Sequence, residues 1–195
     1  MVERAAPANC TGRREVARLS YAEPSEARAE APALVDRIIT ERGEMLHLYA
    51  MLLNSPPFAE GWLNLLTAVR HKGILAGSLR ELVIMRVAHL NGAPYEAEQH
   101  RPIALREGLS DAQVDAIGGW QDSDLFDAAQ SAALAYCGAM TRDVHVSEPI
   151  FTAVRARFPR RELMELTITI AAYNMVSRVL EALHITSADD RGDWS

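Results

Sequence analysis

Ser78 to His100 reads SLRELVIMRVAHLNGAPYEAEQH, and this stretch decides the fold. From Leu79 to Leu90 the side chains are apolar almost all round, interrupted only by Arg80, Glu81, Arg86 and His89. A helical run with no polar face implies burial on every side. Ser78 and Glu81 have the S-x-x-E spacing of a capping box, which would start the helix. Asn91-Gly92 is a helix stop. Pro94 suits the first turn of a second helix, expected to run to about Glu107.

The flanking sequence repeats the helical theme. Ala33 to Leu53 carries Leu34, Ile38, Met45, Leu48, Met51 and Leu52 at roughly helical spacing, interrupted near Gly43. Phe58 to His71 places Trp62, Leu65, Leu66 and Val69 on one stripe. Further helices are expected from Ala112 to about Ile117, from Leu125 to Met140, from Ser147 to about Arg157 and from Pro159 to near Leu183. In the last of these, Leu166 to Val176 is apolar on most faces. No alternating strand pattern and no Gly-rich phosphate loop occurs. The expected fold is therefore all-α, a helical bundle with two central apolar helices. Residues 1–30 have few large apolar side chains and are expected to form a flexible arm, residues 31–186 the helical domain, and residues 187–195 a loose tail.

Composition narrows the function. Hydrophobic residues make up 49% of the 195, enough for a substantial core, and the net charge is −6. That balance argues against nucleic acid or an anionic membrane surface as partner. No segment reaches the roughly 18 to 20 apolar residues of a membrane helix. Arg13 and Arg14 are not followed by an apolar run, so no secretory signal is expected. There are two cysteines, Cys10 and Cys137, with no CxxC and no Cys/His spacing for zinc. The expectation is a cytoplasmic protein with two unpaired thiols, no metal and no cofactor.

The polar residues inside the apolar runs are the candidates for chemistry. Glu96 and His100 are four apart and share a helix face. Apolar surroundings raise a carboxyl, a carboxylate raises a neighbouring imidazole, and such a pair exchanges protons near neutral pH. Arg86 either bridges to a carboxylate such as Glu81 or holds a substrate carboxylate by bidentate contact. Tyr95 either packs or places its hydroxyl at a pocket rim, and His89 reads as a core histidine. Tyr173-Asn174 and Ser177-Arg178 interrupt the last apolar run. Buried polar groups need partners, so they either line a pocket or bond between helices.

The pattern LREL-I-RVA-LNG followed by YE--QH resembles the core motif of the carboxymuconolactone decarboxylase and alkylhydroperoxidase D-like family. The resemblance implies an alkylhydroperoxidase D-like helical fold and self-association into trimers or hexamers. In the peroxidase branch a glutamate precedes a CxxC and a histidine. The glutamate falls on Glu81 and the histidine on His100, but the two thiol positions fall on Ala93 and Glu96. Neither supplies the thiolate that disulfide chemistry needs. The decarboxylase branch implies protonation of a dienolate-like carbon. On that reading His100 is the general acid/base, Glu96 and Glu81 tune or relay, and Arg86, Tyr95, Asn174 and Arg178 bind substrate. The expected function is cofactor-free proton transfer on a small unsaturated acid or lactone. The alternatives are a non-catalytic binding or interaction protein on the same scaffold and a redox protein using Cys137. A cavity holding Glu81, Glu96 and His100 would favour the enzyme; those side chains pointing to solvent would favour the binding protein. A buried Cys137 without an acid/base neighbour would remove the redox reading.

Overall fold

The computed structural model describes residues 17–194 and contains helices and no strand among them. Ten α-helices follow in order: α1 Pro24–Glu30, α2 Pro32–Arg42, α3 His47–Leu52, α4 Pro56–Thr67, α5 Gly77–Asn91, α6 Pro94–Arg106, α7 Asp111–Ala116, α8 Ala128–Arg142, α9 Glu148–Arg155 and α10 Arg160–Leu183. A π-helical turn, Ala68–Lys72, extends α4, and a 3-10 turn, Ile117–Asp122, follows α7.

The expected central helices are central. α5 packs against α6, α8 and α10. Every residue from Glu81 to Ala88 is buried, including the charged Glu81 and Arg86. Gly92 closes α5 in the left-handed conformation, φ 62°, which glycine adopts without steric cost. That stop lets α6 turn back along α5. A second apolar cluster, built from Val35, Ile38, Met45, Leu63 and neighbours, sits under α1 to α4.

The capping box expected at Ser78 and Glu81 does not form. The helix begins at Gly77 with Ala76 as N-cap and no side-chain cap. Ser78 is thus already inside the first turn, and Glu81 lies too far along to reach back. The preceding loop is held elsewhere: Glu165 Oε2 accepts from the Ile74 and Leu75 amides at 2.6 and 2.8 Å. Glu81 is left free for another task.

The chain ends differ from expectation where they are described. Arg18 N–H donates to Leu183 O at 2.9 Å, and the Tyr21 hydroxyl donates to Asp189 at 2.7 Å. Trp194 is 5% exposed, within the second cluster, and Arg28 donates to its carbonyl at 2.8 Å. Neither residues 17–30 nor 187–194 are loose. Single aromatic anchors hold them, and local composition does not reveal the distant pocket that accepts one. Residues 1–16 of the expected arm, with Cys10, lie outside the described residues.

Leu82 is completely buried at the centre of α5. Leu82→Ala is expected to cost about 3 kcal/mol through lost transfer energy and the cavity left behind. Urea unfolding measures it, and a cost below about 1 kcal/mol would show that the α5 core relaxes freely.

Candidate active site

α6 lies against α5 and α10, and the three helices bring polar side chains together inside apolar walls. His100 Nδ1 is 2.7 Å from Glu81 Oε2, across the α5–α6 contact. Glu81 is fully buried and His100 is 8% exposed. Burial by itself would raise the Glu81 carboxyl. The His100 hydrogen bond and charge, with Arg80 beside them, outweigh it and hold Glu81 below the ordinary carboxyl value. Arg80 Nε is 3.1 Å from Glu81 Oε1 and its other arm reaches Glu107. With Glu81 ionised, Nδ1–H is the donor to it, and Nε2 remains for exchange with a ligand. The Tyr173 ring stands edge-on to the imidazole at 4.9 Å and limits its rotation.

Glu96 is one helical turn earlier and 2% exposed. It bonds to Ser177 of α10 rather than to His100: the Ser177 hydroxyl lies 2.6 Å from Glu96 Oε2 and 3.0 Å from Tyr173 O. Burial pushes the Glu96 carboxyl up to about 8, against the weaker pull of Ser177. The hydrogen-bond count agrees. A serine hydroxyl has one proton to donate. If Glu96 is protonated, its O–H donates to Ser177 Oγ and Ser177 donates to the Tyr173 carbonyl, so both short contacts are satisfied. Two carboxyls on neighbouring helices thus hold opposite states at neutral pH, Glu81 ionised and Glu96 neutral.

Glu96 and His100 line one small cavity of about 50 Å³, with Tyr49, Trp62, Arg70, Tyr95, Gln99 and Tyr173 among its walls. That space holds a few waters or a small ligand. Six buried side-chain polar atoms lack a hydrogen-bond partner among the described residues. Four belong to this wall: Trp62 Nε1, Tyr95 OH, Glu96 Oε1 and Tyr173 OH. The Tyr95 hydroxyl approaches the His47 and Leu48 amides without closing a hydrogen bond. Buried orphans are rare in folded proteins, and their concentration in one place makes this cavity the candidate site.

Of the residues expected in the site, Glu81, Glu96, His100 and Tyr95 come together, and three do not. Arg86 donates to Ile117 O at 2.8 Å and Gly118 O at 3.2 Å, clamping the 3-10 turn. Five residues separate it from Glu81, well over a third of a turn round α5, so it faces away. Asn174 accepts from Asn91 and donates to Thr141, and Arg178 donates to Asn174. Asn174 thus ties α10 to α5 and α8 outside the cavity, and the exposed Arg178 braces it from within α10. Tyr173 and Ser177, one residue earlier on α10, hold the inward face instead. His89 is exposed rather than a core residue, its ring lying over Gly118. Sequence reading also missed Trp62 and Arg70. The signal available was the Trp62–Val69 stripe, which predicts burial but not which wall it forms.

Cys137 is fully buried, 3.7 Å from Val83 O and 4.0 Å from Thr141 Oγ1. Burial pushes the thiol up to about 12. No acid/base side chain hydrogen-bonds it among the described residues, so a redox role has no support here. Iodoacetamide is expected to leave Cys137 unmodified in the folded protein and to label it after denaturation, as peptide mass spectrometry would show. Fast native labelling would reveal an open or thiolate form.

Residues 56–139 match the carboxymuconolactone decarboxylase family, a span that contains Glu81, Glu96 and His100. The uncharacterized protein YdfG of Bacillus subtilis (strain 168) is 23% identical over 106 residues, 53% of this chain and 72% of YdfG. An uncharacterized peroxidase-related protein from Ralstonia eutropha JMP134, with an alkylhydroperoxidase AhpD core, superimposes with TM-score 0.75 at 16% identity, covering 89% of this chain and 93% of that one. A variant of the debrominase Bmp8 in complex with 2,3,4-tribromopyrrole gives TM-score 0.73 at 20% identity, over 86% of this chain and 89% of that one. At these identities the structural likeness is one of fold. No helix among the described residues is long and apolar enough to cross a membrane, and no described cluster of His, Cys, Asp or Glu could hold a metal ion.

Proposed function

We propose that this protein is a cofactor-free acid/base enzyme of the carboxymuconolactone decarboxylase type, acting on a small unsaturated acid or lactone. The observation that carries the proposal is the 2.7 Å contact between the buried Glu81 and His100, with the buried Glu96 beside His100 on one cavity. His100 Nε2 takes a proton from carbon, with Glu81 stabilising the imidazolium that forms. The resulting dienolate takes a proton from Glu96 at a second carbon, which completes an isomerisation. In a decarboxylation the C–C bond to the carboxylate breaks, CO₂ leaves, and the electron pair left on carbon collects the Glu96 proton. Each transfer of this kind contributes on the order of 10²- to 10⁴-fold in rate. The debrominase in the same fold is a precedent for small-molecule chemistry on this scaffold. The family resemblance also supports a homo-oligomer, which sedimentation would contradict by returning a monomer.

The test is turnover of a panel of unsaturated lactones and β-keto or β,γ-unsaturated acids, followed by mass spectrometry and by deuterium exchange at carbon. Turnover and exchange that vanish in His100→Gln, with the fold intact, are the expected result. Turnover unaffected by that substitution would refute acid/base work at this site.

A further inference from the structure

The polar groups around the cavity are mostly hydrogen-bond donors. Trp62 Nε1–H can only donate, Arg70 brings a fixed cation, and the unpartnered Tyr173 hydroxyl has a proton to give. The one carboxyl on the wall, Glu96, already has one oxygen engaged by Ser177. Glu81 is occupied by His100 and Arg80. Glu41, the acid near the second wall arginine, Arg42, is engaged by Arg37 and Thr67. Arg70 therefore has no counter-ion: it makes no ion pair or side-chain hydrogen bond among the described residues. It is half-buried and projects from the π-helical turn Ala68–Lys72. π-turns break the helical register and concentrate at functional sites. Here the break ends α4 with Arg70 on the cavity wall, near enough to act electrostatically on both Tyr49 and Tyr173. A half-buried cation without an anion, beside buried donors without acceptors, is the complement of an oxyanion.

We infer that the cavity takes a small carboxylate, that the Arg70 guanidinium binds its charge, and that Arg70 thereby selects an acid over its neutral counterpart. This rests on the proposed function for its site and deepens it, choosing the acid over the lactone. Trp62 Nε1–H and the Tyr173 hydroxyl serve the second carboxylate oxygen. The carbon chain then extends toward His100 and Glu96.

The test reads binding without turnover. The three tryptophans give three indole N–H resonances, and the Trp62 signal is identified by its loss in Trp62→Phe. Propionate and its neutral counterpart propionamide are titrated at fixed pH and ionic strength. The expected result is a saturable shift of the Trp62 signal with propionate and about tenfold or weaker binding of the amide, the weight of one charge-assisted contact. Arg70→Gln should weaken propionate about tenfold or more and leave propionamide unchanged, and Arg70→Lys should recover part of the loss. Equal binding of acid and amide in the unmodified protein, no propionate binding, or an Arg70→Gln variant that keeps the preference would each overturn the inference. Arg70-dependent binding in a protein whose turnover survives His100→Gln would instead leave the carboxylate site standing and remove the catalytic assignment.

Discussion

Glu96→Gln is expected to make the folded protein more stable at pH 8, by roughly 4 kcal/mol, while abolishing turnover. The stability change follows from linkage. The Glu96 carboxyl is raised by burial from its ordinary 4.5 to about 8 in the folded chain. Below pH 4.5 both folded and unfolded chains hold the proton, and the contribution to stability is fully present. Between about 4.5 and 8 the unfolded chain releases the proton and the folded chain keeps it, so stability falls as pH rises. Above about 8 both forms are ionised and the loss is complete. Each unit of raised pKa corresponds to about 1.4 kcal/mol, which makes the loss a few kcal/mol. Glutamine has nearly the same shape and never ionises. Its N–H can donate to Ser177 Oγ, so the chain of bonds to the Tyr173 carbonyl survives. The difference between the two proteins should grow from near zero at pH 4.5 to its plateau above pH 8. Urea unfolding at several pH values measures it, and other titrating groups cancel in the difference. Parallel curves for the two proteins would mean that Glu96 titrates as an ordinary carboxyl. A gain in stability coupled to a loss of activity is what a strained functional acid gives on removal.

His100→Gln is expected to lower turnover by about 10²- to 10⁴-fold while the chain stays folded. Glutamine can donate an N–H toward Glu81 Oε2 in place of Nδ1–H, so the buried carboxylate keeps a partner. It cannot take up and release a proton near neutral pH. His100→Ala should differ in one respect. It leaves Glu81, which is fully buried, with only Arg80 as an ionic partner. Removing one side of a buried pair typically costs about 3–5 kcal/mol, and Arg80 brings the expected cost below that range. Thermal unfolding should therefore rank the unmodified protein and His100→Gln together and His100→Ala below them, whereas turnover should be lost in both variants. A His100→Ala variant as stable as the parent would show that Arg80 alone neutralises Glu81.

The sequence by itself determined the helices that bury most of their surface. α5 is legible because a helix with no polar face has only one stable location, α10 because its Leu166–Val176 stretch is apolar on most faces, and Gly92 and Pro94 mark the break between α5 and α6. The Glu81, Glu96 and His100 trio was legible as well, Glu96 and His100 from their four-residue spacing and Glu81 from the resemblance of the motif. Tertiary structure decided everything that depends on how a helix is rotated about its axis. α10 carries two polar pairs at four-residue spacing, Tyr173 with Ser177 and Asn174 with Arg178. Their patterns are equivalent along the chain and differ by about 100° in direction. Only packing against α6 turned the first pair inward to the cavity and left Asn174 to bond to α5 and α8, with Arg178 braced on it at the surface. The same rotation sent Arg86 to the 3-10 turn. The placement of Arg70 depended on a π-turn, whose extra residue per turn leaves no periodic signature in five residues. Local sequence sets which side chains must be buried, because burial follows hydrophobicity; it does not set which neighbour each one meets, because that is fixed by contacts between segments far apart in the chain.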